Sequence, residues 1–127
     1  MKSQIIKTLL LTTAVTLSTA ASADTRFIEV WNCKMLDGKT NEQLLSVNTD
    51  WQTFLNSKVQ GAGVRSSVMT SLVGDLSSFL AADSYSSMAS WAEGKAALKT
   101  PEGVAATAAW DSVAPCTSST LYESTEG

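Results

Sequence analysis

Histidine is missing from this 127-residue sequence. Proton transfer near neutral pH therefore falls to carboxylates whose pKa burial has raised. Glu29 and Asp83 are best placed for that role. Glu29 alternates with Phe27 and Trp31, and Asp83 stands in an apolar run between Phe79 and Tyr85. A carboxylate flanked on its own strand face by two aromatic rings loses hydration, which raises its affinity for a proton. Arg65, in a second alternating run with Met69, is the cation that could meet such a group or a bound anion. With no imidazole and only two cysteines, the usual zinc, haem and Ser-His or Cys-His sites are excluded, and neither a metal nor a cofactor is expected. Gly61-Ala62-Gly63 has no strand before it and no lysine after it, so it reads as a turn and not a phosphate cradle. Asp37-Gly38 and Gly74-Asp75 read as turns and not calcium loops.

The elements that would position these residues follow from hydrophobic periodicity. Arg26 to Met35 alternates and is rich in aromatic and β-branched residues, which predicts a strand. Thr40-Asn41-Glu42-Gln43 has the form of a capping box, and Leu44, Val47, Trp51, Phe54 and Leu55 continue at helical spacing to Lys58. Val64 to Val73 and Ser78 to Tyr85 alternate again and predict a hairpin around Gly74-Asp75. Ser86 or Ser87 caps a helix through Met88, Trp91, Lys95 and Leu98. Thr100-Pro101-Glu102 then supplies an N-cap, a proline at the first helical position and an acid in the first turn of a second helical segment. Cys116 to Tyr122 reads as a short edge strand. The order β-α-β-β-α-α-β predicts a ferredoxin-like split βαβ sandwich of the α+β class, a four-stranded antiparallel sheet with helices on one face and the second helix broken at Pro101. Trp51, Trp91 and Trp110 sit at helical spacing among apolar residues and read as core or groove packing.

The first residues set an address. Lys2 and Lys7 precede an apolar run that ends in Ala21-Ser22-Ala23, the pattern of a signal peptide with a small-residue cleavage site. Residues 1–23 are expected to be removed and residues 24–127 to form a single periplasmic or secreted domain, with no membrane anchor in the mature form. In an oxidising compartment Cys33 and Cys116 are expected to pair, and the topology agrees, since it lays the end of the first strand beside the start of the last. Such a bridge contributes roughly 4 kcal/mol in the chain-entropy model. Loss of Lys2 and Lys7 turns nine bases against twelve acids into seven against twelve, a balance that argues against nucleic acid and anionic lipid as partners.

Glu29-Val30-Trp31-Asn32-Cys33, Asp37-Gly38-Lys39-Thr40, Thr100-Pro101-Glu102-Gly103 and the closing Cys116 with Leu121-Tyr122 resemble a group of small exported bacterial proteins. More distantly, the pattern is similar to the dimeric α/β-barrel superfamily, which includes antibiotic-biosynthesis-type monooxygenases. That resemblance implies a ferredoxin-like fold and a tendency to pair sheet against sheet. The histidine that some members use for catalysis has no counterpart here.

Pairing Cys33 with Cys116 sets Trp31 opposite Ser118, Glu29 opposite Thr120 and Phe27 opposite Tyr122, with Ile28, Val30 and Leu121 under the helices. The open sheet face would then collect Phe27, Glu29, Trp31, Arg65, Met69, Phe79, Asp83, Tyr85 and Tyr122. This set is too apolar for water and too charged for an ordinary core. Two functions follow. The favoured one is a small-ligand-binding or interaction module whose open face either packs against a second copy in a dimer or lines a pocket for a small apolar or aromatic ligand with Phe27, Glu29, Trp31, Arg65, Met69, Phe79, Tyr85 and Tyr122. The alternative, implied by the resemblance, is a cofactor-free monooxygenase-like enzyme acting on a small aromatic or quinone-like substrate. In it Glu29 or Asp83 would serve as base, and Arg65 would stabilise an enolate.

Overall fold

Residues 24–127 are described by the computed structural model; the expected signal peptide, residues 1–23, lies outside the described residues. The first strand, β1, covers Thr25–Cys33 and is followed by α1, Asn41–Lys58. The Thr40 hydroxyl accepts the Gln43 backbone N–H at 3.2 Å, and the Gln43 side chain accepts the Thr40 N–H at 2.9 Å. This reciprocal pair satisfies two of the donors a helix start leaves open. Leu44, Val47 and Leu55 form the buried stripe of α1.

Strands β2 (Arg65–Thr70) and β3 (Phe79–Tyr85) form the hairpin, and α2 (Met88–Ala97), α3 (Pro101–Asp111) and β4 (Cys116–Thr125) complete the chain. The hairpin ladder closes at Thr70 opposite Phe79, so its loop is wider than the Gly74-Asp75 turn alone. Ser87 caps α2 and Thr100 caps α3, with Pro101 in the first turn. At Gly103 a β-carbon would collide with the Ala97 carbonyl and the Leu98 backbone. Glycine is what lets α3 start so close behind the end of α2.

The sheet is antiparallel throughout, in the order β2-β3-β1-β4, and has the ferredoxin-like arrangement that the element order implied. Cys33 and Cys116 face each other across β1 and β4 and are joined by a disulfide.

Two expectations are corrected here. The β1–β4 register shifts between Asn32 and Cys33, so Trp31 lies opposite Ser119, Glu29 opposite Leu121, Ile28 opposite Tyr122 and Phe27 opposite Glu123. Each partner is displaced by one residue from the pairing counted back from the cysteines, because a bulge adds a residue to one strand only.

The second correction is larger. Phe27, Glu29, Trp31, Phe79, Asp83 and Tyr85 do not lie on the open face; they point under the helices. Cys33, Phe79 and Ala81 pack with Leu44, Val47 and Trp110, and Tyr85 packs with Leu55, Val59 and Val64. Period-two alternation separates a strand into two sets but does not say which set meets the helices. Ile28 and Val30 had suggested the wrong one. The set containing the disulfide and the aromatic rings buries more apolar surface, and it is the set the helices cover. Arg65, Met69 and Tyr122 remain on the open face, where Met69 is 44% and Tyr122 53% exposed.

Candidate functional site

Inverting the sheet places both candidate carboxylates inside the protein. Glu29 and Asp83 are directly opposite each other on β1 and β3, and both are almost completely buried. Such groups need hydrogen-bond donors. With histidine absent, the helices provide tryptophan and lysine.

Glu29 accepts from Trp91 Nε1 at 3.0 Å and from Lys95 Nζ at 3.0 Å, both on α2, and from Ser119 Oγ of β4 at 3.1 Å. Trp91 and Lys95 are four residues apart and therefore share one face of α2. The Lys95 ammonium also lies 4.7 Å from the centroid of the Trp31 ring, within the range of a cation–π contact. Glu29 thus belongs to a closed ion-pair network, with a cation, an indole and a hydroxyl already engaging it.

Asp83 differs. It accepts from Trp51 Nε1 of α1 at 2.9 Å and from Ser66 Oγ of β2 at 2.6 Å, and no cation forms an ion pair with it among the described residues. Burial raises its pKa from the ordinary 3.8 to about 6, more than the hydrogen bonds from Ser66 and Trp51 lower it, and nearby Glu29 adds to the rise. A carboxylate with that pKa is ionised at neutral pH yet holds a proton within reach of ordinary proton exchange, which suits a general base. Burial and the charges of Asp83 and Glu29 also push the Tyr85 phenol up, so it stays neutral.

Asp83 lines a cavity of about 220 Å³ between the sheet and the helices. Trp31 and Ala81 contribute from the sheet, Trp51 and Asn48 from α1, and Thr107 and Trp110 from α3, while exposed Asp111 marks the solvent side. The Trp51 and Trp110 rings are 6.1 Å apart and tilted by 53°. They form two aromatic walls at an angle, an arrangement suited to the edge and face of a planar guest. The Trp31 indole Nε1 is buried and has no hydrogen-bond partner among the described residues, a condition that costs about 1–3 kcal/mol.

Of the residues picked out from the sequence, the structure brings Trp31 and Asp83 to the cavity, with Glu29 directly beside Asp83. Phe27, Phe79 and Tyr85 belong to the surrounding core. Arg65, Met69 and Tyr122 lie on the other side of the sheet, so Arg65 cannot stabilise an enolate formed beside Asp83. Trp51 and Trp91 are more than helix packing, because each holds a carboxylate. The signal for that was chemical: two acids stand in aromatic strand runs of a chain without histidine, so indoles are among the donors left to meet them. Lys95, Asn48 and Thr107 carried no comparable signal, because their position depends on how the helices cross the sheet.

No family model and no curated protein matches the sequence. Solved structures do match its fold. SnoaB, a cofactor-independent oxygenase from Streptomyces nogalater, aligns with a TM-score of 0.57 at 12% identity, over 83% of this chain and 97% of its own. The likeness is one of fold, the ferredoxin-like arrangement of the sheet and helices. A NIPSNAP-family protein of unknown function from Agrobacterium tumefaciens aligns with a TM-score of 0.52 at 14% identity, over 80% of this chain and 87% of its own. A dimeric ferredoxin-like protein of unknown function from Thermobifida fusca gives 0.47 at 13% identity, over 84% and 93%.

Proposed function

We propose that this protein binds a small aromatic molecule with a weakly acidic hydroxyl in the tryptophan-lined cavity, and that Asp83 accepts the hydroxyl proton. The observation that carries this reading is Asp83 itself, a buried carboxylate at the wall of an aromatic cavity with a pKa of about 6 and, among the described residues, no cation in an ion pair with it. Its Trp51 and Ser66 bonds occupy one lone pair on each oxygen, which leaves acceptor capacity for a guest. A volume of about 220 Å³ falls below the roughly 300–1,000 Å³ of pockets for drug-sized ligands, so a guest of one or two rings fits.

A second reading is favoured by the same base and by the fold shared with SnoaB. An aromatic hydroxyl that has lost its proton is electron-rich and is the form that reacts directly with dioxygen, so proton removal by Asp83 is the step a cofactor-free oxygenase requires. In this reading Asp83 is the base, the indoles hold the ring, and Arg65 has no role.

The domain is proposed to act outside the cytoplasm after loss of residues 1–23; the export pattern and the Cys33–Cys116 disulfide support this. Among the described residues no helix is long and apolar enough to cross a membrane. An intact mass of the exported protein beginning at Asp24 is the expected result.

The test of the ligand reading is calorimetry with phenol, 4-ethylphenol and their methyl ethers. Affinity for the hydroxylated compounds should rise as pH increases through about 6, where Asp83 ionises, and Asp83→Asn should lower it at least tenfold while leaving the ethers unaffected. Equal binding of phenols and ethers, or an Asp83→Asn protein that binds phenols normally, would sink the proposal. Loss of dioxygen consumption in Asp83→Asn, with a substrate the wild type oxidises, would separate the second reading from simple binding.

A further inference from the structure

The cavity between the sheet and the helices has an unbalanced charge. Two carboxylates line it, buried Asp83 and exposed Asp111, and no lysine or arginine does. Asp83 is ionised at neutral pH, and among the described residues neither acid forms an ion pair. Lys95, whose ammonium lies over the Trp31 ring, is already compensated by Glu29 at 3.0 Å. The helix does not account for Asp111 either. That residue ends α3, and the last turn of α3 holds no basic residue. A helix C-terminus is the negative end of the macrodipole, so an acid there is disfavoured by the helix itself. Dipole and carboxylate together make the mouth of the cavity negative.

The aromatic walls favour the same sign of ligand. Indole is the side chain whose ring attracts a cation best. Among the described residues Trp31 has Lys95 against its face, whereas Trp51 and Trp110 have no cation. We propose that the ligand of this cavity is a phenol that carries a protonated amine, with its hydroxyl at Asp83 and its ammonium at the mouth beside Asp111. Asp111 is then the specificity-determining residue. At the mouth the ammonium keeps part of its hydration, so its attraction to Asp111 is not offset by the desolvation cost that a buried ion pair meets. Phenols that carry a carboxylate are repelled by the same two acids. The nine bases against twelve acids of the whole chain attract a cation at longer range. This inference rests on the ligand reading above and adds the charge of the ligand.

The experiment compares tyramine, 4-ethylphenol and phenethylamine by calorimetry at pH 7. Tyramine and 4-ethylphenol share the ring, the hydroxyl and the two-carbon chain and differ in the terminal ammonium; phenethylamine has the ammonium without the hydroxyl. Tyramine should bind the wild type about fivefold to tenfold more tightly than 4-ethylphenol at low salt. That difference should shrink at about 1 M salt, which screens exposed charges. Asp111→Asn changes an exposed side chain and relieves the helix end, so the variant should fold. It should weaken tyramine about threefold and leave 4-ethylphenol unchanged. If tyramine binds no more tightly than 4-ethylphenol, or if Asp111→Asn weakens both alike, the inference fails while the Asp83 reading stands. Phenethylamine should bind more weakly than tyramine; equal affinity would overturn the hydroxyl contact at Asp83 and with it the ligand class named here. If none of the three binds the wild type, both readings fail together.

Discussion

Glu29 and Asp83 face each other across β1 and β3 beneath the helices, and each accepts a hydrogen bond from an indole on a different helix, Trp91 of α2 and Trp51 of α1. The same backbone register therefore gives two carboxylates different environments. Lys95 completes an ion pair with Glu29, whereas Asp83 has only neutral donors and its pKa rises. The first is suited to hold structure and the second to exchange a proton.

The Asp83 pKa gives a pH dependence of defined sign. Because the folded value, about 6, exceeds the ordinary 3.8, the folded state binds the proton more tightly, so this group's contribution to stability is full below about pH 4 and is lost as pH rises to about 6. The difference corresponds to roughly 3 kcal/mol. Chemical denaturation between pH 4 and pH 7 should show that decline in the wild type, and Asp83→Asn should flatten it, with stability at pH 7 equal to or above wild type. An equally steep decline in Asp83→Asn would assign it to another group.

Reduction of Cys33–Cys116 should destabilise the domain strongly. The bridge spans 83 residues of sequence separation, a loop whose closure contributes on the order of 4 kcal/mol. Melting with and without reductant, together with a Cys33→Ala/Cys116→Ala variant, should show the same large loss. Alkylation of the unreduced protein should label neither cysteine.

Lys95→Met should destabilise by about 2 kcal/mol, since it leaves the Glu29 carboxylate buried without its cation. Lys95 remains partly exposed, which softens the cost. The double variant Glu29→Leu/Lys95→Met should cost less than Lys95→Met alone, because removing both partners leaves no buried charge. Denaturant midpoints at equal slope decide between these outcomes. A double variant less stable than the single one would show that the pair is net stabilising.

Met69, Leu80 and Tyr122 expose apolar surface on the open sheet face, next to Ile28 and Val30, and such a patch marks an association surface. We infer that it pairs with a second copy. Sedimentation should give a dimer at micromolar concentration, and Leu80→Lys or Met69→Lys should shift it to monomer without unfolding. A wild-type protein that stays monomeric at high concentration would count against this pairing.

Element types and order could be read from residue chemistry. The Thr40 capping box, the Pro101 start of α3 and the alternation around Glu29 and Asp83 are local patterns, each decided by hydrogen bonding or side-chain period within a few residues. The topology those elements imply brings Cys33 to Cys116, so the bridge was legible as well. Which strand face meets the helices was not, because alternation is symmetric between the two faces and only the comparison of buried area breaks the tie. The bulge at Asn32 and Cys33 was hidden for a related reason: one added residue changes every pairing behind it without altering the sequence pattern. The pairing of Trp51 with Asp83, of Trp91 and Lys95 with Glu29, and the placement of Trp31 at the cavity wall depend on how α1, α2 and α3 lie across the sheet. That arrangement is settled by the packing of side chains distant in sequence, so only the tertiary structure made Asp83 the candidate base and put Arg65 outside the site.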